Sequence, residues 1–168
     1  MFRQSLVARR QQAFCYTAVT SIDFDPEDFQ QMAGLVCYYN GTKFHYLFVS
    51  HDGALGKYLR VMSSSPDQVQ PDAFTAPVPI AANIALELRV DVDYERLRFA
   101  YRTDNSQWNW LPEIFDGSIL SDEASPPGLP NFTGAFVGMC CQDASGQRRP
   151  ADFDYFEYVE RDYDANTP

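Results

Sequence analysis

The sequence predicts an all-β chain folded as a two-sheet antiparallel β-sandwich of jelly-roll type. Three observations predict it. Apolar residues recur at every second position in several short runs, as half-buried strands require. Links rich in Gly, Pro, Ser and Asp separate these runs. No long amphipathic segment of helical period occurs anywhere, so the sheets must cover one another. At 168 residues the chain fits one domain of the usual ~100–200 residues. That length buries a core without disulfide or metal staples. The sandwich is read over residues 1–160 and a polar, frayed tail over 161–168.

In chain order, Arg3, Arg9 and Arg10 stand among Gln and Ser in a solvated first strand. No apolar stretch follows these charges, so the segment is not read as a secretory signal. The next strand is read over Gln12–Ser21. Asn40-Gly41, a favoured two-residue turn, joins Met32–Tyr39 to Lys43–Ser50. Both faces of that hairpin are apolar, with Phe44, Tyr46 and Phe48 on one side and Leu47 and Val49 on the other. These are central strands, or strands with one face lining a groove. Lys57–Met62 follows. From Ile84 to Asp93, Ile84, Leu86, Leu88, Val90 and Val92 alternate with Glu87, Arg89, Asp91 and Asp93. After a turn at Tyr94-Glu95, Leu97, Phe99 and Tyr101 alternate with Arg96, Arg98 and Arg102. This is a hairpin with one wet face, on which opposed acidic and Arg side chains pair across strands. The last strands are read over Thr133–Cys141 and Asp152–Val159, with one helical turn within Pro112–Leu120.

Composition excludes several partners. Twenty-three Asp and Glu against thirteen Lys and Arg leave a net charge of −10. The basic footprint that nucleic acid or an anionic membrane surface requires is lacking, and no apolar run approaches the ~18 residues of a membrane span. Thirteen Phe, ten Tyr and two Trp make 15% of the chain aromatic, which suits a neutral sugar. Cys15, Cys37, Cys140 and Cys141 each lie in an apolar run without CxxC spacing, so zinc is not expected. They read as free thiols of a reduced, cytoplasmic protein. Cys140 and Cys141 point to opposite faces of their strand.

Five segments resemble one family: LVARRQQAFCYTA, DFDPEDFQQMAGLVCYYN, KFHYLFVSHD, FTGAFVGMCCQD and RRPADFDYFEY. Together, over roughly residues 3–160, the chain resembles the C-terminal β-sandwich of glycoside hydrolase family 43 β-xylosidases. That domain has also been classed as a xylan-binding module, and the resemblance implies a concanavalin-like fold. It also implies that the catalytic carboxylates belong to a separate, N-terminal five-bladed propeller, for which 168 residues leave no room. No catalytic residue is therefore expected here, nor any cofactor. In the family the sandwich packs on the propeller and lends an aromatic side chain to the substrate pocket. Phe132 best matches that position, with Phe136 the alternative. The implied role is a non-catalytic accessory or carbohydrate-binding domain. Its partners would be xylan or xylo-oligosaccharides, the catalytic propeller and further copies of itself. The alternatives are a purely structural or oligomerisation domain, or a xyloside hydrolase in its own right.

Each candidate residue has a functional and a structural reading. Trp108 and Trp110 share one face, Trp108 as a core residue and Trp110 reaching the rim as a sugar platform. Tyr38 and Tyr39 point to opposite faces, so at most one lines a groove. Phe132 follows the stiff loop SDEASPPGLPN and is either a core plug or a ligand contact. Asp143, Arg148 and Arg149 surround Gly146 in a loop, able to bond sugar hydroxyls or a propeller, or simply forming an exposed turn. Asp152 and Asp154 share a face. As an acid–base pair they would need a separation of ~5–9.5 Å across a bond. Asp154 is also the one candidate for calcium, which needs 6–8 oxygens, against a solvated structural role. His45 is read as a satisfied sheet residue and His51 as a strand end; no Gly-x-Ser-x-Gly elbow accompanies them.

Overall fold

In a computed structural model of the chain, residues 3–65, 73–104, 106–124 and 132–163 are described. The front half carries β1 (Arg3–Arg10), β2 (Cys15–Asp23), β3 (Gln31–Asn40), β4 (Lys43–Asp52) and β5 (Gly56–Ser64), then the two-residue β6 (Ala73–Phe74) and β7 (Val78–Pro79). The back half carries β8 (Leu86–Asp93), β9 (Arg96–Arg102), β10 (Asn109–Trp110), β11 (Phe115–Asp116), β12 (Phe136–Asp143) and β13 (Asp152–Glu160). The helical turn expected within Pro112–Leu120 is a 3-10 turn at Gly117–Leu120, capped by the Asp116 carboxylate accepting from the Ser118 N–H. Pairing gives two antiparallel sheets, ordered β1-β12-β3-β4-β5-β6 with β7 beside β5, and β10-β9-β8-β2-β13 with β11 beside β9. The all-β sandwich is as the alternation requires.

Strand parity decides what faces inward. Leu86, Leu88, Val90 and Val92 of β8 meet Leu35, Cys37 and Tyr39 of β3 and Leu47 and Val49 of β4 in one core. Cys141 packs against that core, whereas Cys140 belongs to a second cluster on the opposite face, with Val36, Tyr46, Phe48 and Tyr58. All four cysteines are free, and burial pushes the Cys37 thiol up to about 12. The charged face of β8 and β9 pairs partly as expected. Glu87 bonds Arg102 directly across the strands, while Arg89, two residues away on its own strand, holds Asp91 at 2.8 and 2.9 Å. Of the segment read as a frayed tail, Arg161 is tied down, and residues 164–168 lie outside the described residues. Arg161 donates its backbone N–H to the Cys15 carbonyl and its guanidinium to Asp93, so the sandwich holds the chain past Glu160.

Two glycines set the approach of strands in the first sheet. A Cβ at Gly34 would lie 2.1 Å from the Leu47 carbonyl oxygen, and one at Gly138 would lie 2.2 Å from that of Val7. Both positions share the outer face with Val36 and Cys140. No larger residue fits either backbone.

Candidate functional site

At one end of the sandwich β1 and β13 finish, β2 and β12 start, and the β3–β4 and β8–β9 turns lie. Large apolar side chains gather there in the open. Phe132 is 85% exposed and Phe14 72%, joined by Tyr94, Ile114 and Tyr163. Phe14 stacks on Tyr94 at 5.6 Å with 7° between ring planes, and Tyr163 meets Tyr94 edge-on at 5.4 Å. Tyr94 reaches this position through a left-handed backbone (φ 55°) with its N–H bonded to the Phe14 carbonyl. Phe132 is presented by an anchored segment. The Arg10 guanidinium donates to the Thr133 carbonyl, the Thr133 hydroxyl donates to the Tyr39 carbonyl, and the Gln11 N–H donates to the Ala135 carbonyl. Phe132 is not a core plug. The loop before it, residues 125–131, lies outside the described residues. Phe136, four residues on, is half-buried beneath Arg10, 4.8 Å from its ring.

The outer face of the first sheet holds a groove of about 510 Å³. Val36, Tyr46 and Cys140 form its floor, Tyr38, Phe44 and Met62 one wall, and Leu6 with Gln4 and Gln142 the other. Tyr38 and Tyr39 do face opposite ways, and the register decides which reaches the groove. Tyr39 shares parity with Leu35 and Cys37, so it is buried in the core. There its hydroxyl donates to Asp122 and the Lys43 ammonium sits 3.8 Å from its ring. As a sugar-binding residue Tyr39 is therefore corrected to a core residue.

The outer face of the second sheet is charged. Trp110 is 37% exposed, and Trp108 is half-buried on the same side rather than in the core, which corrects the expectation for Trp108. Guanidiniums pin both rings, Arg98 at 4.5 Å from Trp110 and Arg102 at 4.4 Å from Trp108. Each such contact contributes ~0.5–1 kcal/mol at an exposed site.

The remaining candidates stand apart from these faces. Asp143 is buried. One of its carboxylate oxygens accepts from the Ser145 N–H, the Ser145 hydroxyl and the Gly146 N–H, and the other from the Arg149 N–H at 2.8 Å. The Ser145 hydrogen bond, ahead of an opposing burial effect, holds its pKa below the ordinary carboxylate value. Asp143 thus shapes its own loop, and with Arg148, Arg149 and Phe153 it lines a cavity of about 400 Å³. Arg148 is exposed with a left-handed backbone (φ 62°), while Arg149 is bound to the Asp25 carbonyl and to Glu27. Asp152 and Asp154 are exposed on β13, the outermost strand of its sheet. Among the described residues no three His, Cys, Asp or Glu side chains are grouped to hold a metal, so Asp154 lacks the ligand set that calcium requires. His45 is buried and fully bonded, its Nε2–H donating to the Asp116 carbonyl at 3.0 Å and its Nδ1 accepting from Ser63 at 2.8 Å. Burial lowers its pKa and keeps it neutral.

Comparison with known proteins gives one consistent picture. The family model described as the beta xylosidase C-terminal concanavalin A-like domain matches residues 1–159. A beta-xylosidase of Bacillus subtilis (strain 168) is 38% identical over 167 residues, covering 95% of this chain and 30% of the relative. Xylosidase/arabinosidase 43B of Humicola insolens is 38% identical over 162 residues, 94% of this chain and 30% of its own length. The crystal structure of a xylan beta-1,4-xylosidase from Bacillus halodurans C-125 superposes with a TM-score of 0.88 at 36% identity. That match covers 94% of this chain and 30% of the other. The chain thus spans about 30% of the length of the curated relatives it matches.

Proposed function

The chain belongs to the family of beta xylosidase C-terminal concanavalin A-like domains, and from that membership we propose that it is a non-catalytic accessory sandwich completing the xylo-oligosaccharide pocket of a family 43 catalytic propeller. One observation carries this reading: the end of the sandwich that exposes Phe132 also exposes Ile114 and the packed rings of Phe14, Tyr94 and Tyr163. Leaving a Phe in water forgoes ~1.5–3 kcal/mol of burial. Large apolar side chains exposed together at one end of a folded domain mark an interaction surface. On docking, the other four side chains would bury against the propeller, and the Phe132 ring would close the pocket over the C–H face of a sugar. It would exclude water there without handling a proton. The same reading assigns no chemistry to Asp152 and Asp154.

The test is a hybrid enzyme in which this chain replaces the matched segment of the Bacillus subtilis beta-xylosidase. The hybrid is expected to hydrolyse xylobiose. Phe132→Ala is expected to raise KM about tenfold, equivalent to ~1.4 kcal/mol of binding. An unchanged KM would overturn the role of Phe132. Turnover of p-nitrophenyl xyloside by the chain alone would overturn its non-catalytic character.

A further inference from the structure

The outer face of a sheet in a two-layer sandwich ordinarily meets water. In the middle of the first sheet it does not. Val36, Tyr46, Phe48, Tyr58 and Cys140 are buried there, on the side away from the main core. The floor they make is rigid. The Tyr46 hydroxyl donates to the Cys140 carbonyl at 2.9 Å, two strands away, so its ring must lie along the sheet rather than stand out from it. Phe48 braces it at a ring distance of 5.3 Å.

The groove above this floor is uncharged. Among the described residues none that lines it is Lys, Arg, Asp or Glu, in a chain that carries thirteen basic and twenty-three acidic side chains. The flanking cations are turned to rings, Arg10 over Phe136 at 4.8 Å and Arg60 over Phe74 at 4.2 Å. Besides the Tyr38 hydroxyl, polar groups enter where Gln4 and Gln142 sit directly opposite each other on β1 and β12, one Gln142 N–H donating to the Met32 sulfur at 3.5 Å. Each amide offers donors and an acceptor. A volume of about 510 Å³ falls within the ~300–1,000 Å³ typical of small-ligand sites. A protein partner fits poorly. Among the described residues Leu6 is the only large apolar side chain in the lining that is exposed, whereas a stable protein interface buries ~800 Å² per partner.

From this geometry we infer that the groove is a second, separate binding site for a neutral oligosaccharide. Tyr38 and Phe44 meet the C–H faces of successive rings, and Gln4 and Gln142 bond hydroxyls. The site rests on the accessory-domain reading only for its choice of probe, a xylo-oligosaccharide. It lies on the sheet face rather than at the Phe132 end, so it would hold a glycan chain near the enzyme rather than in the reacting pocket.

Calorimetry of the chain with xylohexaose tests this. Heat of binding is expected at millimolar ligand, with an affinity insensitive to salt because no charge is engaged. Tyr38→Ala and Gln142→Ala should each weaken binding about fivefold or more, with circular dichroism unchanged. Phe132→Ala should leave the affinity as it was. No heat at millimolar xylohexaose would overturn the site, and so would binding lost on Trp110→Ala or Phe132→Ala but retained in both groove variants. In the hybrid enzyme, Tyr38→Ala should leave hydrolysis of xylobiose unchanged. Failure of the groove is thereby distinguished from failure of pocket completion, which only Phe132→Ala reports.

Discussion

The two outer faces of this sandwich are built by the same alternation and end in opposite states. On the second sheet the outward residues are charged and satisfy one another. Glu87 meets Arg102, Asp91 meets Arg89, and Trp108 and Trp110 lie over Arg102 and Arg98. On the first sheet the outward residues are apolar and build a small second core, with an uncharged groove above it. Charge held by neighbouring charge needs no ligand. An uncharged groove with apolar rings and amides gains from a ligand that presents C–H faces and hydroxyls together. A third region differs from both: the end bearing Phe132 exposes its apolar groups outright.

The strongest way to break this contrast is at Gly138. Its substitution by Ala places a methyl 2.2 Å from the Val7 carbonyl oxygen and 2.4 Å from the Ala8 Cα, both backbone atoms that cannot swing aside. Overpacking of this kind costs about 3 kcal/mol, read as a lowered melting temperature of Gly138→Ala. A melting temperature equal to that of the unsubstituted chain would show that β1 and β12 are not held as closely as the groove requires.

A smaller effect sharpens the contrast through pH. The Arg102 hydrogen bond lowers the pKa of Glu87 against the opposing effect of burial, with Tyr155 adding to it. A carboxylate lowered in the folded state stabilises fully above its unfolded value, and that stability is lost as pH falls through the folded value. Stability is therefore expected to decline below about pH 4.5, and Glu87→Gln should flatten that decline by about 1 kcal/mol or less, since the pair is partly solvated. Tyr38→Ala, on the uncharged face, should leave the acid limb of the stability curve in place. Chemical denaturation at pH 7 and pH 3.5 distinguishes the two variants.

How much was legible in the sequence follows the same division. The β8–β9 hairpin and its wet face were readable because charge marks every second residue from Glu87 to Asp93 and returns beyond the turn at Arg96, Arg98 and Arg102. Strand parity also placed Tyr38 and Tyr39 on opposite sides, yet only the pairing of Tyr38 with Phe44 and Phe136 showed which of them meets the groove. Trp108 was read as core because nothing local signals that the guanidiniums of Arg89 and Arg102 rise to meet it. Asp143 looked like a binding residue, whereas Ser145, Gly146 and Arg149 occupy its carboxylate within a few residues. β6, β7, β10 and β11 were not foreseen, since two paired residues carry no periodicity. Phe14, Tyr94 and Tyr163 are far apart in sequence and meet only through the pairing of β2 with β8 and β13.

The contrast between the faces is tested most directly by following side-chain N–H signals of the ¹⁵N-labelled chain while xylohexaose is added. The amide signals of Gln4 and Gln142 should shift progressively, and the indole signals of Trp108 and Trp110 should stay in place. Indole shifts with both glutamine amides unmoved would put the sugar on the charged face and contradict the assignment of the groove.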